Sequence, residues 1–324
     1  MVKLPGEIKR KALELAIGEL ALPDEQIVSP QSTGDLIGRA VRVYRANIRQ
    51  WAPLLLWPTV CVLVGRVIYQ ASAAYFQQDQ SQVVIVVPLI LGFTVVIMGK
   101  WFLLQKQLAF VRLTTGFSKT LDEAMTYTKR RKWAIAGVVA LCLIIFTGVF
   151  MLWMLEIIAA GVLTKIIPVP AVIAMVLGFI GFIISSAFIM FALLLSLSAL
   201  ACENGTVTSL LSRGFTLSSK SFFRTLWCGL IASLTVNLIA TPMWLPISLI
   251  GSLDALRAGG TLQGLPMYWQ VTIAAWETLI EMVTQPILFL AYGFYYYDLR
   301  LRYEGVDVLE ALETIKLKQR ALLE

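Results

Sequence analysis

Long apolar runs, broken by short polar segments, set the rhythm of this chain. Continuous apolar segments occur near 51–76, 83–110, 133–163, 171–201, 225–250 and 268–297. Each exceeds the ~20 residues an α-helix needs to cross a bilayer. They are too long and too uniformly apolar for barrel strands, so membrane-spanning helices are predicted. Several are long enough to imply tilt, or a turn of helix continuing into the headgroups. Pro53, Pro58, Pro88, Pro242, Pro246 and Pro286 lie inside or at the ends of these runs, where local kinks are expected.

The polar segments share a design. "DLIGRAVRVYRANIRQWAPLLLW", "TLDEAMTYTKRRKWAIAGVVAL" and "TVTSLLSRGFTLSSKSFFRTLWCGLI" each place small and apolar residues at helical spacing, then basic residues and an aromatic. Each precedes a pair of apolar runs. "FVRLTTGFSKTLDEAM", "ACENGTVTSLL" and "RYEGVDVLEAL" each put a glycine turn before a new helix start. The predicted architecture is all-α: a polytopic membrane bundle of six transmembrane helices in three hairpins, each preceded by a cytoplasmic amphipathic helix. Three units entering from one side make a parallel internal repeat, unlike the inverted repeats of many transporters. Residues 1–34 are expected to form a cytoplasmic N-terminal helix (Ile8, Leu13, Leu15, Ala16 and Leu20 on its apolar side) and a linker. Residues 35–297 form the transmembrane domain and 298–324 a cytoplasmic C-terminal helix.

Composition agrees with this pattern. The 324 residues are 58% apolar and 15% charged, against about 45–50% and about 25% in soluble domains. Of the 27 Lys and Arg residues, 22 fall in segments 1–50, 111–132, 202–224 and 298–324, whereas the alternate loops carry only Lys165 and Arg257. The asymmetry predicts both termini in the cytoplasm. It also explains the net charge of +7 as a basic inner face against anionic headgroups, so no nucleic-acid partner is expected. The N-terminus has no uninterrupted apolar stretch of a secretory signal. There is no histidine, which excludes histidine-dependent triads and histidine-ligated zinc. Cys61, Cys142, Cys202 and Cys228 are scattered and read as small hydrophobes. No cofactor or metal site is expected.

Ionisable groups within spans need a partner or a water-filled cavity. They are Arg66, Lys100, Lys106, Glu156, Glu277 and Glu281. Lys106 and Lys100 lie toward the cytoplasmic end of their span and are expected to snorkel. By the ~1.5 Å rise per residue, Arg66 lies ~15 Å from the outer end of its span, Glu277 ~14 Å, Glu281 ~20 Å and Glu156 ~10 Å. Glu277, Glu281 and Gln285 share one helix face, which Thr278, Thr235 and Asn237 could extend. The residues Arg66, Glu156, Glu277, Glu281 and Gln285 therefore form a candidate buried polar cluster. It reads as a helix-ordering clamp or as a binding cavity, with acid in excess.

The last span ends in "GFYYYDLRLRYEG". Tyr295, Tyr296 and Tyr297 are expected at the interface, Arg300 and Arg302 at headgroup phosphates. Asp298 and Glu304, before the Gly305 turn, can pair with these arginines, or with the basic lead-ins of the other repeats. The segment reads as a membrane-exit motif rather than a catalytic site. "YYYDLRLRYEGVDVLEAL" (295–312) and "ALACENGTVTSLLSRGFTLSSKSFFRTL" (199–226) resemble two blocks of the bacterial glycerophosphoryl diester phosphodiesterase membrane-domain family and its uncharacterised relatives. The resemblance implies a six-helix integral membrane module of bacteria, in the plasma (inner) membrane or an internal energy-transducing one. That family's hydrolase activity resides in an attached soluble barrel with histidine and metal-binding carboxylates. This chain has neither the barrel nor a histidine, so the activity is not carried over.

No G-x-S-x-G, P-loop or H-E-x-x-H motif occurs. The expected function is non-enzymatic: a lipid- or protein-binding accessory, scaffold or assembly factor, partnered by membrane lipids and by a membrane-protein complex. The alternative is a transporter or permease-like module using the Arg/Glu cluster. An intramembrane enzyme using Glu277 and Glu281 is a third reading.

Overall fold

The computed structural model describes residues 31–78, 82–164, 167–257 and 267–305. Among them are eight helices and no strand: α1 (Thr33–Gln78), α2 (Gln82–Thr114), α3 (Leu121–Arg130), α4 (Lys132–Leu163), α5 (Pro168–Cys202), α6 (Val207–Lys220), α7 (Phe222–Arg257) and α8 (Met267–Glu304). Six of these, all but α3 and α6, are long and apolar enough to cross a membrane. The expected helices within 1–30 and beyond 305 lie outside the described residues, as does most of the glycine-rich loop 257–269.

The three lead-ins join their spans tightly. A one-residue break at Arg131 separates α3 from α4, and one at Ser221 separates α6 from α7. The first lead-in has no break at all and is fused into α1. Contacts show that α1 is nevertheless bent. Trp51 stacks on Phe110, with centroids 4.4 Å apart, and the neighbouring Val111 meets Gly293. Gln31 meets Asp298, and Arg39 lies over Phe294. A straight helix would carry Gln31 ~30 Å past Trp51, so residues 33–50 run across the end of the bundle. Pro53 deprives the Arg49 carbonyl of its helical donor and accounts for the bend.

Capping fixes where the lead-ins start. Thr120 Oγ1 accepts from Glu123 N, and Glu123 Oε2 accepts from Lys119 N, a reciprocal box that satisfies two orphan donors. Thr206 Oγ1 accepts from Ser209 N at the start of α6. Gly116 and Gly305 take positive φ, as two of the three predicted glycine turns require. Gly205 does not. There the turn is extended, and Thr206 capping does the work expected of the glycine.

All lead-ins gather at one end, called here the basic end. The core sits there: Trp51, Phe110, Leu195, Leu200, Tyr292, Tyr295 and Tyr296 are fully buried. Away from it, α1 packs along α2 and α8, whereas α4 packs on α5 and α7 on α8. Contact between α1 and α2 is backbone-close. A Cβ on Gly65 would lie 2.6 Å from Val96 N, and one on Gly92 2.6 Å from Tyr69 N. Small residues of this kind let transmembrane helices approach.

At the basic end α5 seats against both α2 and α8, with Phe191 stacked on Tyr292 at 5.9 Å. Further out it departs. Between residues 172 and 185 only Met175, Gly178 and Phe182 are sheltered, one helical stripe. That stripe faces α4: Trp153 stacks on Phe182 at 4.4 Å. The groove between α2 and α8, filled by α5 near the basic end, is therefore open in the far half.

Candidate binding site

The charged cluster forms beside this opening. Arg66 of α1 reaches α8, donating from Nη2 to Glu281 Oε1 at 2.7 Å and from Nη1 to Thr278 Oγ1 at 3.1 Å. Its Nη1 also lies 3.4 Å from Glu277 Oε2. Lys100 of α2 binds the other oxygen, Glu281 Oε2. Gln285, one turn further along α8, meets the buried Gln107 at 3.4 Å. The i, i+4, i+8 spacing of Glu277, Glu281 and Gln285 thus does bring the three to one face, opposite α1 and α2.

Two memberships differ from the expectation. Lys100 does not snorkel; Glu281 draws it inward, and the cluster holds two cations against two carboxylates instead of an excess of acid. Glu156 does not join Arg66. It lies in the α4–α5 hairpin against Gly178, where an added Cβ would fall 1.7 Å from its Oε1. Among the described residues it has no hydrogen bond or ion pair. Thr235 bonds only to its own helix, at Ile231 O, and Asn237 is exposed, so neither extends the cluster. Lys100 was recoverable from the sequence. Measured from the basic end instead of the far end, Lys100 lies 12 residues from Arg112 and Glu281 lies 17 from Asp298, so both fall in the far half of the bundle.

The cluster is not dry. Side-chain exposure is 20% for Arg66, 33% for Lys100, 31% for Glu281 and 41% for Glu277. Val111 and Gly293 mark a common level for α2 and α8. Lys100 and Glu281 lie 11 or 12 residues further out, ~16–18 Å along the axes. Sixteen ångströms outward from Phe191, α5 has reached Ile180, which is 48% exposed. The cluster therefore stands at the depth where α5 has left the groove.

The exit motif is a second polar layer, and it is buried. Tyr295 and Tyr296 are sealed beneath the lead-ins, Tyr297 is half-buried, and none of the three serves as the expected interfacial belt. Exposed aromatics at that end are instead Trp133, Phe223, Trp227 and Tyr303. Asp298 is 0% exposed. It accepts from Gln31 N at 2.8 Å and pairs with Arg224 at 2.7 Å and Arg302 at 2.9 Å. Both arginines also donate to Gln31 O.

Glu203 is the companion hub. It takes Tyr296 Oη at 2.5 Å, Arg300 at 3.2 Å and Arg213 at 3.1 Å. Glu304 joins Arg213 at 2.7 Å and Arg300 at 3.0 Å. Arg131 donates to the Glu203 and Gly205 carbonyls, and Arg112 lies 3.6 Å over the Tyr127 ring. Arg300 and Arg302, expected to face phosphates, are therefore committed to carboxylates that tie the hairpins together. Pairing of Asp298 and Glu304 with these arginines and with the lead-ins was expected; the burial of the motif was not, because a D-L-R exit looks alike whether lipid or protein covers it. The signal available was Glu203, a lone carboxylate at the end of α5 with spare arginines on α6 and α8.

No protein-family model, curated protein or solved structure matches this chain.

Proposed function

We propose that this chain is a non-enzymatic, multi-pass protein of a bacterial inner membrane, with both termini cytoplasmic. It acts as an accessory or scaffold that holds a membrane lipid, or a partner's membrane segment, in the opening between α5 and the α2–α8 groove. One observation carries the reading: a charged cluster, 20–41% exposed, stands where α5 leaves the groove. Ionisable groups at that depth need a partner or a water-filled cavity, and these four have partners yet stay partly open. Apolar α5 on the other wall suits acyl chains or apolar side chains. The basic lead-ins supply the orientation, and the likeness of 199–226 and 295–312 to the membrane-domain family agrees with a six-helix integral membrane module.

Native mass spectrometry from nanodiscs tests it. A lipid or protein retained in fixed stoichiometry, and lost on Glu281→Gln, is expected. A bare protein, or retention indifferent to that substitution, would overturn the proposal.

The same exposure favours one second reading, a transporter in which the cluster meets a solute. A cysteine at position 277, in a background without the four native cysteines, separates the two. Modification by a membrane-impermeant thiol reagent is the transporter's signature; protection by lipid is the accessory's.

A further inference from the structure

We infer that Lys106 of α2 and Lys129 of α3 hold the phosphate of one anionic phospholipid, drawn from the leaflet at the basic end. This site is separate from the opening and does not depend on what fills it. A short link through Gly116 turns the chain from α2 into α3, and α3 packs back on α2. Ala109 and Leu113 of α2 are sealed there by Leu121, Ala124 and Met125 of α3. One turn further along the same faces stand Lys106, three residues before Ala109, and Thr128 and Lys129, four after Ala124 and Met125. The two lysines therefore come together, near enough for their charges to repel.

Neither charge is answered by protein. Arg112, Arg131, Arg224 and Arg300 of this end are tied to carbonyls or carboxylates. Lys106 and Lys129, among the described residues, have no ion pair and no side-chain hydrogen bond. Asp122, on the Lys129 side of α3, is seven residues back, ~10 Å along the axis. Glu123 caps its own helix through Lys119 N.

Depth leaves Lys106 no better exit. It is half-buried and lies six residues, ~9 Å, inside Arg112. The short way out for its ammonium is toward the basic end, and that path leads to Lys129. Two like charges brought together beside lipid call for an anion between them. Basic pockets between spanning helices on the cytoplasmic side bind anionic headgroups for this reason. A phosphate offers oxygen acceptors to both ammonium groups, each of which has three N–H donors. A headgroup with its own ammonium brings a third cation to the same place. The acyl chains have a path as well: Phe102 and Met98, one and two turns further into the membrane along α2 from Lys106, are exposed.

Headgroup selectivity tests the site. The wild-type protein is placed in nanodiscs of equal phosphatidylglycerol and phosphatidylethanolamine, and the retained lipid is identified by native mass spectrometry. One phosphatidylglycerol per chain is expected, preferred at least about tenfold over phosphatidylethanolamine. Lys106→Met should reduce that preference to about twofold or less. Lys132→Gln, the same loss of charge at an exposed neighbour, should leave it unchanged. Thermal melts in zwitterionic micelles check the fold. There Lys106→Met should melt no lower than wild type, because it removes one of two repelling charges. Added phosphatidylglycerol should raise the melting temperature of wild type and not of the variant.

Absence of a preference overturns the inference, and so does an equal loss on Lys132→Gln, which would make it diffuse surface charge. A lower melt for Lys106→Met in zwitterionic micelles shows that the lysines are not a repelling pair and also overturns it. Inorganic phosphate that raises the wild-type melt as far as the lipid does would assign the site to a soluble anion. Glu281→Gln removes only the occupant of the opening, so the two sites are read separately. Phosphatidylglycerol lost on Glu281→Gln but kept by Lys106→Met lies in the opening and removes this site while leaving the binding reading in place.

Discussion

Replacing Asp298 by Asn removes one charge from the most enclosed carboxylate among the described residues while keeping its shape. The native group is 0% exposed and holds Arg224, Arg302 and the Gln31 amide at 2.7–2.9 Å. An asparagine can still accept from Gln31 N, but its amide then points donors at two guanidiniums. Removing one partner of a buried pair costs about 3–5 kcal/mol. Here Arg224 and Arg302 retain 25% and 36% side-chain exposure, so water takes over part of their solvation. The expected loss is about 2–4 kcal/mol. Denaturant titration in mixed micelles measures it. Arg302→Ala, at an exposed i, i+4 position, should cost no more than about 1 kcal/mol. A double-mutant cycle of Arg224→Ala with Asp298→Asn should give a coupling of about 1–3 kcal/mol. A loss below about 0.5 kcal/mol, or additivity in the cycle, would refute the claim that this carboxylate locks the N-terminal lead-in to α7 and α8.

The α1–α2 contact gives a second prediction. Gly65→Leu forces apart backbones that a single Cβ would already bring to 2.6 Å, costing at least about 1–3 kcal/mol. Gly181→Ala, with nothing within 4 Å of the added carbon, should gain up to about 1 kcal/mol; thermal melts in detergent compare the two. Glu156→Met removes a carboxylate that lacks a partner, and the melting temperature should rise. Lys100→Met leaves Glu281 with Arg66 alone and should lower it. Adding Glu281→Gln to Lys100→Met should cost less than the two single effects combined, because the second change removes the stranded charge.

Six spans, their hairpin order and the two short lead-ins were legible because bilayer thickness and helical periodicity act on local sequence alone. The start of one lead-in is also written locally, in the Thr120–Glu123 box. The bend in α1 was half visible: Pro53 marked a place, but only Gln31 against Asp298 gives the direction. In the cluster, the matching depths of Arg66, Glu277 and Glu281 led to the right pairing. The same argument misassigned Glu156 because depth says nothing about which neighbour a helix has. Gly178 on α5, which leaves room for the Glu156 side chain, decided that question. Tyr295 and Tyr296 were misread for a related reason. Aromatic residues near charges suit an interface or a capped core equally, and the groups that meet them, Glu203 at the end of α5 and Ser221 and Thr225 at the start of α7, lie far off in the chain.

The opening beside the cluster is the central claim, and photocrosslinking in native membranes addresses it directly. A photoreactive residue is placed in turn at Val176, Leu177, Ile180, Ile183 and Ile184, which together sample the faces of α5 turned away from α4. Lipid adducts at every position are predicted, with Phe191 as a control that should crosslink to α7 or α8, since it lies against Gly229 and Tyr292. An adduct from any of the five to residues 277–285 of α8 or to α2 near Lys100 would mean that α5 closes the groove, and would contradict the account.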